Sequence, residues 1–185
     1  LAGDGLLTEG LRFLAGAGLQ GLVRPDLALA ALEVIARAAG KEGMIAGQVA
    51  DLKAEQTPGT EEMLEYIHVN KTAKMFRCAA AMGAICGGAS QKQFDSLCEY
   101  GLNVGLAFQI ADDILDETAS SEHLGKTAGK DLKAAKCTYP AVVGMEKARE
   151  IQRRLTSAAA AALEPFGPKA DSLRQLATVL LERTK

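Results

Sequence analysis

Apolar residues recur at helical spacing along almost the whole 185-residue chain, and this periodicity constrains its fold more than any other feature. One stripe runs through Leu7, Leu11 and Leu14, and a second includes Leu29 and Leu32. No stretch of useful length alternates apolar and polar residues as a half-buried strand does. The chain also contains 33 alanines, which lose no side-chain entropy in a helix and allow helices to pack closely. The sequence therefore predicts an all-α fold.

Glycine, proline and capping residues mark where the predicted helices begin and end. After an N-terminal helix, we expect helices over about 25–40, 44–55, 60–89, 90–117 and 140–163, and a last helix that reaches the C-terminus. Ser90 and Gln93 have the spacing of a capping box. Segment 118–138 has no sustained apolar period and is predicted to be the one long loop, and long ordered loops are usually functional.

Composition and charge exclude several classes of protein. The formal net charge of −2 excludes a broadly basic surface, so no nucleic-acid partner is expected. No apolar stretch reaches transmembrane length; the run over 73–89, for example, is interrupted by Arg77. The cysteines form no CxxC or Cys/His pair, which predicts reduced thiols in a cytoplasmic protein and no zinc site. Only His68 and His123 are available as histidine bases, which disfavours hydrolase chemistry.

Segment 108–116, Phe-Gln-Ile-Ala-Asp-Asp-Ile-Leu-Asp, is the most informative part of the sequence. Its polar residues fall three or four apart and share one face of a helix: Gln109, Asp112, Asp113 and Asp116. Three carboxylates on an otherwise apolar helix repel one another, and a divalent cation such as Mg²⁺ relieves that repulsion by binding carboxylate oxygens. The alternative is a solvated acidic face near a helix C-terminus, where negative charge is unfavourable.

A second polar group lies on the preceding predicted helix, where His68, Lys71 and Thr72 share a face. A lysine beside a hydroxyl is suited to contact a phosphate group. An ordinary surface lysine is the alternative.

The segment that follows the acidic helix carries Lys126, Lys130 and Lys136 among glycines. It lacks the GxxxxGK[ST] order of a P-loop, and no strand precedes it. A solvated charged loop is the alternative. Lysines next to acidic metal ligands are, however, what a metal–diphosphate site requires.

In this order, the segments resemble the sequence blocks of the trans-isoprenyl diphosphate synthases, the polyprenyl synthetase family. Segment 108–116 is similar to the second aspartate-rich motif of that family. The other matching blocks lie at residues 1–7, 43–51, 68–72, 87–88, 124–131 and 136–140. They are most similar to those of geranylgeranyl and farnesyl diphosphate synthases. The resemblance implies an all-α, isoprenoid synthase-type helical bundle.

The resemblance also implies a reaction, in which an allylic diphosphate condenses with isopentenyl diphosphate to a longer trans-prenyl diphosphate of farnesyl or geranylgeranyl length. Asp112, Asp113 and Asp116 would hold the Mg²⁺ that assists departure of the allylic diphosphate. The implied diphosphate ligands are Lys71, Lys126 and Lys136. The implied catalytic set near the allylic carbon is Lys71, Thr72 and Gln109. Gln48 and Asp51 would lie on facing helices.

Family members carry a first aspartate-rich motif and isopentenyl diphosphate ligands upstream of the block that begins at Leu1. We therefore expect residues 1–185 to be the C-terminal two-thirds of one isoprenoid synthase domain, inactive on their own and homodimeric in the whole protein. Two other functions fit part of the pattern. A non-catalytic regulatory subunit of a heteromeric synthase is disfavoured by the complete aspartate set, and a class I terpene cyclase is disfavoured by the block at 126–140.

Overall fold

A computed structural model describes residues 1–55, 59–124 and 138–182. Within these ranges the α-helices are α1 (Ala2–Leu19), α2 (Pro25–Ala39), α3 (Met44–Ala54), α4 (Glu61–His68), α5 (Lys74–Cys86), α6 (Gln91–Leu124), α7 (Tyr139–Val143), α8 (Met145–Ala162) and α9 (Asp171–Glu182). A π-helical turn (Val69–Ala73) joins α4 to α5, and a 3-10 helix (Glu164–Ala170) joins α8 to α9. These ranges contain no strand, and the prediction of an all-α fold is confirmed.

Helix α6 is the central element, because it packs along α5 and along α8. Its first half contributes Tyr100 and Val104 to a core shared with α8 and α9. Its second half contributes Ile110, which is fully buried against Leu64 of α4 and Tyr139 of α7. The acidic residues of segment 108–116 therefore lie on a helix that buried apolar contacts hold in both its first and its second half.

Glycines allow α3, the π turn and α6 to approach one another closely. A Cβ atom on Gly47 of α3 would collide with the backbone of Lys71. A Cβ atom on Gly105 of α6 would lie 2.6 Å from the Cα of Ala73, far inside van der Waals contact. The small residues thus serve the close helix packing that the composition predicts, and they bring the polar residues of three segments together.

Three helix boundaries differ from the sequence prediction. The predicted helix over 60–89 contains the π turn, and the predicted helix over 140–163 is divided at Gly144, whose φ of 88° is a left-handed conformation that favours glycine. Helix α6 continues to Leu124 instead of ending at 117, because no Gly or Pro occurs over 118–124. The predicted capping box is confirmed, since the Ser90 N–H donates to Gln93 Oε1 at 2.9 Å.

No helix in the described part of the chain is long and apolar enough to cross a membrane. The described cysteines, Cys78, Cys86 and Cys98, form no disulfide.

Candidate functional site

The π turn between α4 and α5 sets the directions of the polar residues near it. Such turns are rare and occur frequently at functional sites. His68 and Thr72 face α6, where they meet Asp113 and Gln109, whereas Lys71 faces α3. The single face predicted for His68, Lys71 and Thr72 is therefore divided between two neighbouring helices.

Lys71 forms an ion pair with Asp51 of α3, with 2.6 Å between Nζ and Oδ2. Both side chains are 37% exposed, so the pair faces open space and its charges can also reach a ligand. The pair forms because Gly47, one helical turn before Asp51, lets the α3 backbone lie directly against Lys71. Lys71 is thus an oriented, accessible cation within the π turn.

Thr72 donates its hydroxyl hydrogen to the side-chain oxygen of Gln109 at 2.6 Å. Two half-buried polar groups on different segments therefore satisfy each other. Phe76, one turn after Thr72, and Phe108, the residue before Gln109, pack ring to ring with centroids 5.4 Å apart. The structure thus brings together Thr72 and Gln109, two members of the predicted catalytic set, next to the Phe76–Phe108 ring pair.

Asp113 lies at the junction of α4, α6 and α7. Its Oδ2 atom accepts a hydrogen bond of 2.9 Å from the backbone N–H of Tyr139 and lies 3.4 Å from Nε2 of His68. The side chains of Asp113 and His68 are only 13% and 6% exposed. The rings of His68 and Tyr139 pack with centroids 5.2 Å apart. Asp113 therefore points into the protein rather than toward open solvent.

The imidazole of His68 is neutral at physiological pH. Burial lowers its pKa to about 4, Asp51 acts in the opposite direction, and Lys71 adds a smaller lowering. A neutral imidazole carries one N–H, and the carboxylate opposite Nε2 favours the proton on that nitrogen. Nδ1 is buried and has no hydrogen-bond partner among the described residues. The same burial raises the pKa of Tyr139 to about 12, so its hydroxyl stays protonated.

Asp116 is the exposed member of the acidic set, whereas Asp112, like Asp113, is half-buried. Asp112 and Asp116 lie four residues apart on α6 and so share one face. The described residues contain no group of three or more His, Cys, Asp or Glu side chains that would enclose a metal ion. Mg²⁺ does not require such a cage, because it binds one or two carboxylates together with waters and substrate phosphates. The donor chemistry of Asp112 and Asp116 therefore fits Mg²⁺.

Sequence reasoning missed two residues of this site. Asn70, in the π turn, is buried and donates to the Tyr66 carbonyl at 2.7 Å while it accepts from Lys74 Nζ at 2.7 Å. A polar residue in a buried helical position was the available signal. Tyr139 acts through its backbone N–H, which no side-chain pattern reveals. The predicted diphosphate ligands Lys126 and Lys136 lie outside the described residues, so their placement stays a prediction.

A family model described as polyprenyl synthetase matches residues 1–168 of the chain. The chain belongs to the polyprenyl synthetase family. It is 41% identical over 184 residues to geranylgeranyl pyrophosphate synthase 3, chloroplastic, of Arabidopsis thaliana. This alignment covers 97% of this chain and 51% of the relative. It is 45% identical over 158 residues to heterodimeric geranylgeranyl pyrophosphate synthase large subunit 1, chloroplastic, of the same plant. This alignment covers 84% of this chain and 43% of the relative. The resemblance inferred from the ordered motifs is confirmed.

A solved structure has the same fold. The geranyltransferase of Helicobacter pylori, complexed with magnesium and isoprenyl diphosphate, superposes with a TM-score of 0.76 at 31% sequence identity, over 97% of this chain and 58% of that chain. The chain thus spans about half the length of the curated relatives it matches and 58% of the Helicobacter pylori chain.

Proposed function

We propose that the protein containing this chain is a prenyl transferase that condenses an allylic diphosphate with isopentenyl diphosphate to a longer trans-prenyl diphosphate. The observation that carries the proposal is the hydrogen bond between Thr72 and Gln109, which joins the π turn that also carries Lys71 to the acidic helix α6. The names of the Arabidopsis relatives, which are geranylgeranyl pyrophosphate synthases, support this reaction class.

The reaction begins with loss of the allylic diphosphate, which must leave with its negative charge neutralised. Asp112 and Asp116 would hold Mg²⁺, which supplies much of that neutralisation without transferring a proton. The magnesium and isoprenyl diphosphate in the Helicobacter pylori structure support this cofactor. Asp113 belongs to the same predicted set, but one of its oxygens binds Tyr139 and faces His68.

Lys71 supplies a fixed positive charge for the same diphosphate. Its pairing with Asp51 holds the flexible lysine chain in one direction before substrate binds, which reduces the entropy lost on binding. Lys126 and Lys136 are proposed to add two further charges.

Thr72 and Gln109 are proposed to act at the allylic carbon. Because Thr72 donates its only hydroxyl hydrogen to Gln109, the lone pairs of its oxygen are left to face a developing positive charge. Fixed oxygen dipoles of this kind stabilise a cation without the cost of reorienting water. The neighbouring Phe76 and Phe108 would exclude water from the same region.

The experiment incubates the full chain, as its gene encodes it, with radiolabelled isopentenyl diphosphate and one allylic primer at a time: dimethylallyl, geranyl or farnesyl diphosphate. We expect labelled product of farnesyl or geranylgeranyl length with Mg²⁺, and none when EDTA removes the metal. Absence of an elongated product with every primer in the presence of Mg²⁺ would refute the proposal.

A second candidate is a subunit of a heteromeric synthase, because one relative at 45% identity is named a heterodimeric large subunit. A non-catalytic member would make no product alone but would change the rate or product of an active partner. Adding the protein to a catalytic synthase of the same organism distinguishes the two, since an autonomous enzyme elongates primers without that partner.

The proposed assembly is a homodimer formed through α1 and α2. Large apolar side chains stand exposed there, among them Phe13 at 67% and Leu29 at 66%. A dimer interface on these helices would remove such apolar side chains from water. In sedimentation experiments on the full chain, we expect a dimer that Phe13→Glu dissociates and Gln20→Glu, at the exposed end of α1, does not. A monomeric wild type, or a dimer unaffected by Phe13→Glu, would count against this surface.

Cytoplasmic localisation is proposed from the reduced cysteines alone, and the two Arabidopsis relatives are named as chloroplastic. Fractionation of cells that express the full chain with a C-terminal tag tests it, and recovery of the protein in an organelle would contradict it.

A further inference from the structure

The side-chain carboxylate of Asp113 joins residues that are far apart in sequence. Tyr139, which donates to Oδ2 at 2.9 Å, lies 26 residues later, and His68, whose Nε2 lies 3.4 Å from the same oxygen, precedes the whole of α5. Both neighbours are buried. This junction is therefore a buried tertiary contact that a solvated aspartate would not make.

The contact falls at the N-terminus of α7. The first N–H groups of a helix have no partner within the helix, and negative charge is favourable there. Thr138 caps one of them, because its hydroxyl oxygen accepts from the Ala141 N–H at 3.3 Å. Asp113 accepts from another, the N–H of Tyr139, across the space between α6 and α7. The start of α7 thus has one local cap and one tertiary cap.

The direction of Asp113 also determines where its acidic neighbours point. Successive residues of an α-helix are separated by about 100° around its axis, so Asp112 and Asp116 lie roughly 100° and 60° to the same side of Asp113. With Asp113 held at 13% exposure against α4 and α7, Asp112 and Asp116 project from the adjoining side, where Asp116 is exposed. Holding Asp113 therefore fixes the presentation of the other two carboxylates.

We propose that Asp113 is a positioning residue, whose carboxylate locks the start of α7 to α6 and His68 and thereby orients Asp112 and Asp116 toward the metal–diphosphate site. This proposal rests on the proposed function for its metal. It divides the predicted set of three aspartates into two that hold the metal and one that acts through the fold.

The substitutions Asp113→Asn and Asp112→Asn separate positioning from metal binding. An asparagine at 113 keeps an oxygen that accepts from the Tyr139 N–H and removes the negative charge that a metal ligand needs. Asp113→Leu removes the acceptor as well. Asp95→Asn is the matched control, because Asp95 is an exposed aspartate on the same helix, roughly 25 Å before Asp112 along the axis.

The first measurement is binding of Mn²⁺ by the full chain in the presence of inorganic pyrophosphate, followed by electron paramagnetic resonance. Mn²⁺ is a suitable probe because it favours the oxygen ligands that Mg²⁺ uses. We expect Asp112→Asn to weaken Mn²⁺ binding about tenfold or more beyond any loss in Asp113→Asn, because the asparagine at 113 keeps the acceptor for the Tyr139 N–H. Equal loss in the two variants would overturn the proposal and assign Asp113 to the metal.

The second measurement is hydrogen exchange of the Tyr139 amide without metal. We expect slow exchange in the wild type, Asp112→Asn and Asp113→Asn, and exchange at least about tenfold faster in Asp113→Leu, which lacks the acceptor. Unchanged protection in Asp113→Leu would overturn the proposal. The Asp113→Asn arm does not depend on whether Asp113→Leu folds. Neither measurement requires turnover, so a failure of the proposed reaction is seen separately in the elongation assay.

Discussion

The hydroxyl of Thr72 donates to the side-chain oxygen of Gln109 at 2.6 Å, which links two residues 37 positions apart in the sequence. This bond crosses from the end of the π turn to the acidic helix α6. It couples the segment that carries Lys71 to the segment that carries Asp112, so we expect a change in the position of one segment to shift the other.

Thr72→Val removes this hydrogen bond while it keeps the shape of the side chain. A hydrogen bond of this kind contributes about 1 kcal/mol, so we expect a loss of unfolding free energy of about that size. Turnover is expected to fall about tenfold or more, because the oxygen dipole at the reacting carbon is also lost. Urea unfolding and steady-state kinetics measure the two effects. Thr178→Val, which removes an exposed bond to the Arg174 carbonyl, is the control and should leave turnover unchanged.

Lys71→Met tests the proposed diphosphate contact. The Lys71–Asp51 pair is more than one-third exposed, so its loss should change the unfolding free energy by less than about 1 kcal/mol. Calorimetry with Mg²⁺ and inorganic pyrophosphate should nevertheless show affinity reduced about tenfold or more, because a charge-assisted contact is lost. Lys147→Met breaks a similarly exposed pair with Glu61 and serves as the control. Equal pyrophosphate affinity in the two variants would argue against a ligand role for Lys71.

Gly47→Ala and Gly83→Ala are expected to have effects of opposite sign. A Cβ atom at Gly47 collides with the Lys71 backbone, so Gly47→Ala should lower the unfolding free energy by about 2 kcal/mol or more. A Cβ atom at Gly83 meets nothing within 4 Å, so Gly83→Ala should raise it by roughly 0.5–1 kcal/mol through helix propensity. Thermal and urea unfolding of both variants provide the comparison. Tolerance of Gly47→Ala would contradict the described packing of α3 against the π turn. Destabilisation by Gly83→Ala would contradict the open space described beside α5.

Stability is expected to decrease with acid through His68. Its pKa is about 4 in the folded protein and about 6.5 when unfolded, so between these pH values the unfolded chain binds a proton that the folded chain does not. The resulting loss of unfolding free energy is small above pH 6.5, grows as the pH falls, and approaches about 3 kcal/mol near pH 4.

Comparison of the wild type with His68→Gln isolates this contribution. Urea unfolding at pH 7.5 and pH 4.5 should show a loss on acidification that is smaller in His68→Gln by about 2–3 kcal/mol. An identical loss in the two proteins would show that His68 is protonated, or exposed, in the folded state.

The sequence predicts the helices well where glycine, proline and apolar spacing agree, as at α2, which was expected over 25–40 and spans Pro25–Ala39. It does not predict the π turn, because the spacing within α4 and within α5 is ordinary and only the phase between the two helices changes. It also places the end of α6 too early. There the apolar period ends before the helix does, and a mostly polar segment continues it to Leu124.

At the site, spacing on a single helix predicts which residues share a face but not which neighbouring helix that face meets. Gln109 and Asp113, four residues apart on α6, meet Thr72 and His68 respectively, and this pairing depends on the crossing of α6 with the π turn. The partner of Asp113 is a backbone N–H, which every residue except proline possesses, so residue type carries no signal for it.

The central claim is that the acidic face of α6 holds the metal on which prenyl transfer depends. The most direct test is the initial rate of isopentenyl diphosphate incorporation by the full chain and its Asp112→Ala variant over a Mg²⁺ titration, with Asp95→Asn as control. We expect Asp112→Ala to reduce the rate by about a hundredfold or more, and Asp95→Asn to match the wild type. Turnover like that of the wild type in Asp112→Ala, at the same Mg²⁺ concentration, would contradict the account.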